Sequence, residues 1–238
     1  LARYEAMKET VNRVAWDGEW YARATMDDGR FLGVRREPMA KIWLNAQTWA
    51  VLSGMAPAQR AHQAMDSVRR YLNTPLGIKK IDPAMADYPT PEDPLTYYNK
   101  GCGENGSVFC HANAWAVIAE CLLGRGERAW EYYSQLLPMN AQAKAGEWRY
   151  KAEPYVYSSN IFGPESDKFG LANVSWLTGT AAWMYVAFTQ YLLGVKPVWG
   201  GLSIEPCLPP QWESIEITRI FRGCRYHIRV KNGEKLFI

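Results

Sequence analysis

The chain has 238 residues, 48% of them hydrophobic, and 27 Lys and Arg against 24 Asp and Glu leave a formal net charge of +3. That length allows a sizeable core, and the basic residues are scattered without forming a block, which argues against a nucleic-acid surface. No apolar run reaches the roughly 18 residues of a membrane helix, and the charged, amphipathic opening LARYEAMKETV is unlike a signal peptide.

Leu1 to about Val14 reads as the end of a helix already under way, as in a part of a longer protein. The stretch WDGEWYARATMDDGRFLG, from Trp16 to Gly33, predicts a hairpin with Asp-Gly signals at both turns. From Lys41, Ile42, Trp43, Ala46, Trp49, Ala50 and Leu52 fall at helical spacing, and Ala61, Ala64, Met65, Val68 and Leu72 repeat it. The short Gly-containing link between them predicts antiparallel neighbours. Asn73 to Gly106 turns to Pro, Asp, Gly and Tyr without a period, which predicts an irregular loop of the length that carries function. Helices follow at about Val108–Leu123 and Glu127–Leu137, then a second irregular stretch through YVYSSNIFGPESDKFG, then a helix at about Trp176–Leu193. Helix pairs alternating with long loops predict an α/α toroid whose loops build the site at one end. Beyond a boundary between Val195 and Gly201 the pattern alternates as strands do, with Ile215, Ile217 and Ile220, then Tyr226, Ile228 and Val230, about a turn at Gly223. The closing EKLFI reads as a strand in progress.

The chain contains 11 Trp and 14 Tyr, many beside Gly, Asn, Asp or Glu. Aromatic faces flanked by hydrogen-bonding groups suit sugar rings, although the core of a large helical toroid uses Trp as well. In ENGSVFCHAN, Glu104 precedes a helix entry and His111 lies in its first turn. A carboxylate there orients an imidazole or accepts hydrogen bonds from ligand hydroxyls; a packed histidine and a capping carboxylate are the alternative. In NVSWLTGTAAW, Ser175 as N-cap would place Thr178, Gly179 and Thr180 in the first turn, where unpaired N–H groups favour an anion. Gly179 would let an oxygen approach the backbone and Thr178 would add a donor; a small-residue packing face is the alternative. Glu104, Glu153, Glu165 and Asp167 are loop carboxylates, none of them singled out as acid or base, and nucleophile elbows, Walker loops and metal motifs are lacking. The five cysteines, Cys102, Cys110, Cys121, Cys207 and Cys224, show no metal spacing and read as reduced thiols of a cytoplasmic protein.

Together KGCGENGSVFCHANAWAVIAE, AEPYVYSSNIFGPE, SWLTGTAAWMY and WDGEWYARA resemble the C-terminal part of the inverting disaccharide phosphorylases of glycoside hydrolase family 94. This is the group of cellobiose, cellodextrin, cellobionic acid and chitobiose phosphorylases, and the resemblance covers essentially the whole chain. It implies a mainly α fold, part of an (α/α)6 barrel over residues 1–196, followed by a truncated C-terminal antiparallel β domain over 197–238. It further implies cleavage of a β-linked gluco-disaccharide or oligosaccharide of cellobiose, cellodextrin or cellobionic acid type by inorganic phosphate. The products would be α-glucose 1-phosphate and a shortened acceptor. Phosphate is a co-substrate, and neither cofactor nor metal is expected. By resemblance His111, Thr178 and Gly179 bind phosphate and Glu104 contacts the acceptor sugar. Lys100 and Ser159 are further substrate-side candidates: cellobiose-specific members carry Lys directly before the Glu, where Gly103 stands here, and some members carry Gln at Ser159. The family's general acid is an Asp in a Trp-Asn-Asp type motif N-terminal to this sequence. No catalytic residue is therefore expected within it, and the chain alone should be inactive and should expose the apolar faces of incomplete helix pairs. The full-length protein is expected to form a homodimer through an N-terminal region, with neither nucleic acid nor membrane as partner. A hydrolase on the same toroid and a non-catalytic sugar-binding fragment are the competing readings.

Overall fold

A computed structural model describes residues 1–85 and 98–233. Residues 86–97 of the expected loop and the strand expected in EKLFI lie outside the described residues. In chain order, helix α1 (Ala2–Val14) leads to the hairpin strands β1 (Ala24–Thr25) and β2 (Phe31–Leu32), then β3 (Ile42–Trp43), α2 (Leu44–Leu52) and α3 (Ala58–Ser67), which winds on as a π-helix over Val68–Leu72. Short strands β4 (Asn73–Thr74), β5 (Gly77–Ile78), β6 (Ile81–Asp82) and β7 (Val108–Phe109) precede α4 (Cys110–Leu122), α5 (Gly126–Leu136), α6 (Pro138–Ala145) and α7 (Glu147–Tyr150). Strands β8 (Ser158–Ile161) and β9 (Ala172–Ser175) lead into α8 (Thr180–Val186), continued as a π-helix over Ala187–Leu192. Last come β10 (Val195–Val198), β11 (Gly201–Ile204), β12 (Ser214–Phe221) and β13 (Cys224–Lys231).

Helix α4 is the centre of the helical part. Its Ala112, Ala114, Ala116 and Ala119 are good helix formers with almost no side chain to hold neighbours off. Accordingly α2, α5, α8, the second π segment and β8 all pack on it, and Ala112, Asn113, Val117, Ile118 and Glu120 are fully or nearly fully buried. The main core joins α2, α3, α4, α5 and the second π segment through Leu44, Met65, Leu72, Ile118, Tyr132 and Leu192. Glu120 has no exposed surface, and its carboxylate lies 3.6 Å from Arg125 and 3.8 Å from Arg128. Burial outweighs both guanidinium groups and raises its pKa to about 7.

The segment expected to be irregular from Asn73 holds strands instead. β4 and β5 pair through Asn73↔Ile78 and Thr74↔Gly77, and β6 pairs with β3 through Ile42↔Asp82. Leu76, Ile78 and Ile81 are buried apolar anchors for these strands; runs of two residues are too short to show a period. The expected helix from Trp176 also differs. Ser175 ends β9 and is not an N-cap; α8 begins at Thr180 with Gly179 at its head. Val174 (φ 52°) and Trp176 (φ 69°) are left-handed, which swings the chain out of the strand before a helix can start.

Both Asp-Gly turns form as expected. Trp16 bridges Tyr21 around Gly18 (φ 89°), and β1 pairs with β2 around Gly29 (φ 82°). After α8 the chain forms two antiparallel hairpins, β10–β11 and β12–β13, the second turning through Arg222 (φ 50°) and Gly223 (φ 79°). Ile215 and Ile217 are half-buried and Val230 is buried, whereas Ile220 points outward, out of phase with them. All five cysteines are free.

Candidate active site

The three-stranded sheet in the order β7-β8-β9 joins segments far apart in sequence. Val108 faces Ile161, Phe109 faces Asn160, and Ser158 faces Ser175. Strand β7 runs directly into α4 and so places His111, while β9 delivers Thr178 and Gly179 beside it. A methyl group added at Gly179 would stand 3.2 Å from His111 Cε1, so only hydrogen separates that backbone from the imidazole. Thr178 Oγ1 accepts from the Thr180 N–H at 3.2 Å and shares a 2.6 Å hydrogen bond with Thr180 Oγ1. Thr178 and Gly179 therefore form the turn ahead of α8 and do not sit in its first turn.

His111 is walled by Trp115 and Trp183, with ring centroids at 4.9 and 6.0 Å. Its Nε2 is buried and has no hydrogen-bond partner among the described residues. Such a group is costly to leave unpaired, which marks a place for a ligand atom. Burial, and secondarily the ammonium of Lys80, lowers the His111 pKa, so the imidazole is mainly neutral at pH 7 and has one N–H to give.

In Glu104-Asn105-Gly106 the residues have separate tasks. Asn105 is buried; its Oδ1 accepts from the Met85 N–H at 2.7 Å and its Nδ2 donates to the Tyr98 carbonyl at 2.8 Å, which pins the loop. Gly106 presents its carbonyl to Gly163, where any side chain would meet that oxygen at 2.0 Å, so the two loops pack backbone to backbone. Glu104 is left exposed at a cleft of about 530 Å³ lined by Arg23, Trp43, Met85, Tyr98 and Asn105. Its Oε2 lies 3.1 Å from Lys80 Nζ.

Lys80 is the site residue that sequence reading passed over. It is buried and its ammonium lies 4.6 Å from the centroid of the Phe109 ring, two residues before His111. The available signal was a Lys79-Lys80 pair between the apolar Leu76, Ile78 and Ile81, where two exposed lysines make little sense. Lys79 turns the other way, bonded to Asp82 and lying 3.0 Å from Glu165.

The other candidates stand apart from this cluster. Lys100 is exposed and lines a different cleft, with Asn99, Phe162, Glu165 and Asp167. Ser159 Oγ lies 2.9 Å from the Asn173 carbonyl and 3.2 Å from Asn160 Oδ1, so its hydroxyl serves the β8–β9 hairpin. Glu153 accepts from Trp176 Nε1 at 3.1 Å and steadies the turn leading to Thr178. Asp167 is exposed. Among the described residues no cluster of His, Cys, Asp and Glu could hold a metal ion, and no helix is long and apolar enough to cross a membrane.

Comparison with known proteins bears on this arrangement. The family model described as the glycosyl hydrolase 94 superfamily, catalytic domain, matches residues 2–194, and that of the glycosyl hydrolase family 65 C-terminal domain matches residues 197–236. The chain is 38% identical over 229 residues to the solabiose phosphorylase of Paenibacillus borealis, covering 96% of this chain and 30% of that protein. It is 41% identical over 241 residues to the N,N'-diacetylchitobiose phosphorylase of Vibrio furnissii, covering 98% of this chain and 30% of the relative. A 3-O-beta-D-glucopyranosyl-beta-D-glucuronide phosphorylase of Paenibacillus borealis is 34% identical over 227 residues, covering 95% of this chain and 29% of the relative. The chain thus spans about 30% of the length of these curated relatives.

Proposed function

The chain belongs to the glycosyl hydrolase 94 superfamily, and from that premise we propose that it is part of an inverting phosphorylase of β-linked disaccharides or short oligosaccharides. In this reading residues 1–196 form a portion of an (α/α)6 barrel and residues 197–238 a separate β domain. The observation that carries the reading is the meeting of Gly179 with His111, whose buried Nε2 lacks a partner among the described residues.

Inorganic phosphate, held by His111 and by the Thr178–Gly179 turn, attacks C1 of the donor sugar in line with the bond to the leaving oxygen. The bond from C1 to the acceptor oxygen breaks as the bond to phosphate forms, which inverts the anomeric centre and yields an α-sugar 1-phosphate. Phosphate takes the place of the activated water of an inverting glycosidase, so no general base is required. The leaving oxygen takes its proton from a general acid, which the family resemblance assigns to an Asp in a part of the protein N-terminal to this sequence. Glu104, at its half-apolar cleft with Trp43 and Tyr98, accepts hydrogen bonds from the acceptor's hydroxyls. A glucosyl donor with a cellobiose-, cellodextrin- or aldonate-type acceptor is the substrate class, and the names of the relatives extend the panel to solabiose, diacetylchitobiose and glucosyl-glucuronide.

The test follows sugar 1-phosphate release from that panel by the longest protein carrying this chain, with and without phosphate. Phosphate-dependent release is expected. Full turnover in phosphate-free buffer would mean a hydrolase instead, and saturable sugar binding without turnover would mean a non-catalytic binding module.

A further inference from the structure

We propose that Lys80 is the positioning residue that sets Glu104 for the acceptor sugar and thereby determines acceptor affinity; this rests on the phosphorylase reading above. Glu104 is poorly held by its own loop. Its side chain is 51% exposed, and the residue before it cannot help: Gly103 has φ +53°, and a Cβ there would meet the Tyr98 ring at 2.6 Å.

The cation beside Glu104 comes from the turn between β5 and β6, and there everything is fixed. The Lys80 N–H donates to the Ser107 carbonyl at 2.8 Å, and the Lys80 carbonyl accepts from the Leu44 N–H at 2.9 Å. Its side chain is only 7% exposed and its ammonium rests against the Phe109 ring. Turn, α2 and the loop around Ser107 thus hold the lysine in one place, and the ordered ammonium orients the exposed carboxylate. With Oε2 at 3.1 Å from Lys80 Nζ, Oε1 is left to accept from a sugar hydroxyl. A group oriented beforehand costs less to immobilise on binding. Charge balance points the same way: burial lowers the Lys80 pKa, and the Glu104 carboxylate opposes that shift.

The experiment measures the synthetic direction, sugar 1-phosphate plus acceptor, in the longest protein that carries this chain. Lys80→Met is expected to raise the acceptor KM about 5- to 10-fold, with kcat and the KM for sugar 1-phosphate within about twofold, the signature of lost ground-state positioning. Lys80→Arg should recover most of the affinity. In a Glu104→Gln background Lys80→Met should add no further loss, since the two residues act as one unit. An unchanged acceptor KM in Lys80→Met, or additive losses in the double variant, would overturn the proposal, and so would a fall in kcat that accompanies a lowered melting temperature. If the unsubstituted protein releases no sugar 1-phosphate, the phosphorylase reading falls by itself. Calorimetric titration with cellobiose and glucose then decides on Lys80: weaker binding by Lys80→Met upholds it, while equal binding, or none by either protein, overturns it.

Discussion

Gly179 has almost no freedom to change. A Cβ at 3.2 Å from His111 Cε1 is closer than nearly all such contacts, so either the imidazole or the turn before α8 must shift by a few tenths of an ångström. Trp115 and Trp183 wall the ring, which leaves the turn to move. Gly179→Ala is therefore expected to raise the KM for phosphate about tenfold, ~1.4 kcal/mol of binding, with the acceptor KM little altered because neither His111 nor Gly179 lines the cleft at Glu104. Phosphate titration in the phosphorolytic direction checks this; an unchanged phosphate KM would remove the turn from the phosphate site. Sequence spacing marked His111, Thr178, Gly179 and Glu104, but not Lys80. A lysine paired through space with a carboxylate on another loop leaves no periodic trace, and its neighbour Lys79 looks identical in sequence while serving a different ion pair.

At the scale of elements, α4 and the β4–β6 segment are joined by one side chain. Asn113, buried in α4, accepts from the Ile78 N–H at 2.7 Å and donates to the Ile78 carbonyl at 2.9 Å, completing strand β5 as another strand would. That clamp holds the turn on which Lys80 sits. Asn113→Ala would leave a buried donor and acceptor unpaired at about 1–3 kcal/mol each, so a loss of about 2–6 kcal/mol is expected in denaturant unfolding, together with a raised acceptor KM. An effect under about 1 kcal/mol would mean that water or a shifted strand replaces the amide. Helices α2, α3, α4 and α5 were legible because their apolar spacing is long enough to average. Strands β4, β5 and β6 were not, because two residues carry no alternation and their order comes from Asn113, Leu44 and Ser107 elsewhere in the chain.

On the scale of the molecule, the segment after β11 lies against the helical part through backbone. A Cβ at Gly126 would meet the Leu208 carbonyl oxygen at 2.3 Å, and one at Gly194 would meet that of Glu205 at 2.1 Å. The Cys207 N–H donates to the Leu192 carbonyl at 3.0 Å, and Trp212 packs 4.8 Å from Trp130. Gly126→Ala must push α5 and this segment apart, at an expected cost of about 1–3 kcal/mol. Thermal unfolding measures the loss, and limited proteolysis near Leu208 should become faster. Exposed Trp148, Tyr155, Trp176, Leu177, Tyr185 and Trp199 leave much apolar surface on the described residues; only Trp148 and Tyr185 among them stand on helices.

By itself the sequence determined the elements with a local cause: the helices with sustained apolar spacing, the Asp-Gly hairpins, the change from helix to strand near Val195 to Gly201, and the motif residues that carry the family resemblance. Tertiary structure alone decided where α8 begins, which lysine stands beside Glu104, and that Gly179 touches His111. The reason is physical. Periodicity and turn chemistry are properties of neighbouring residues, whereas a buried ion pair or a contact with no room for a methyl group depends on how distant backbones are held, here by the β7-β8-β9 sheet and the Asn113 clamp.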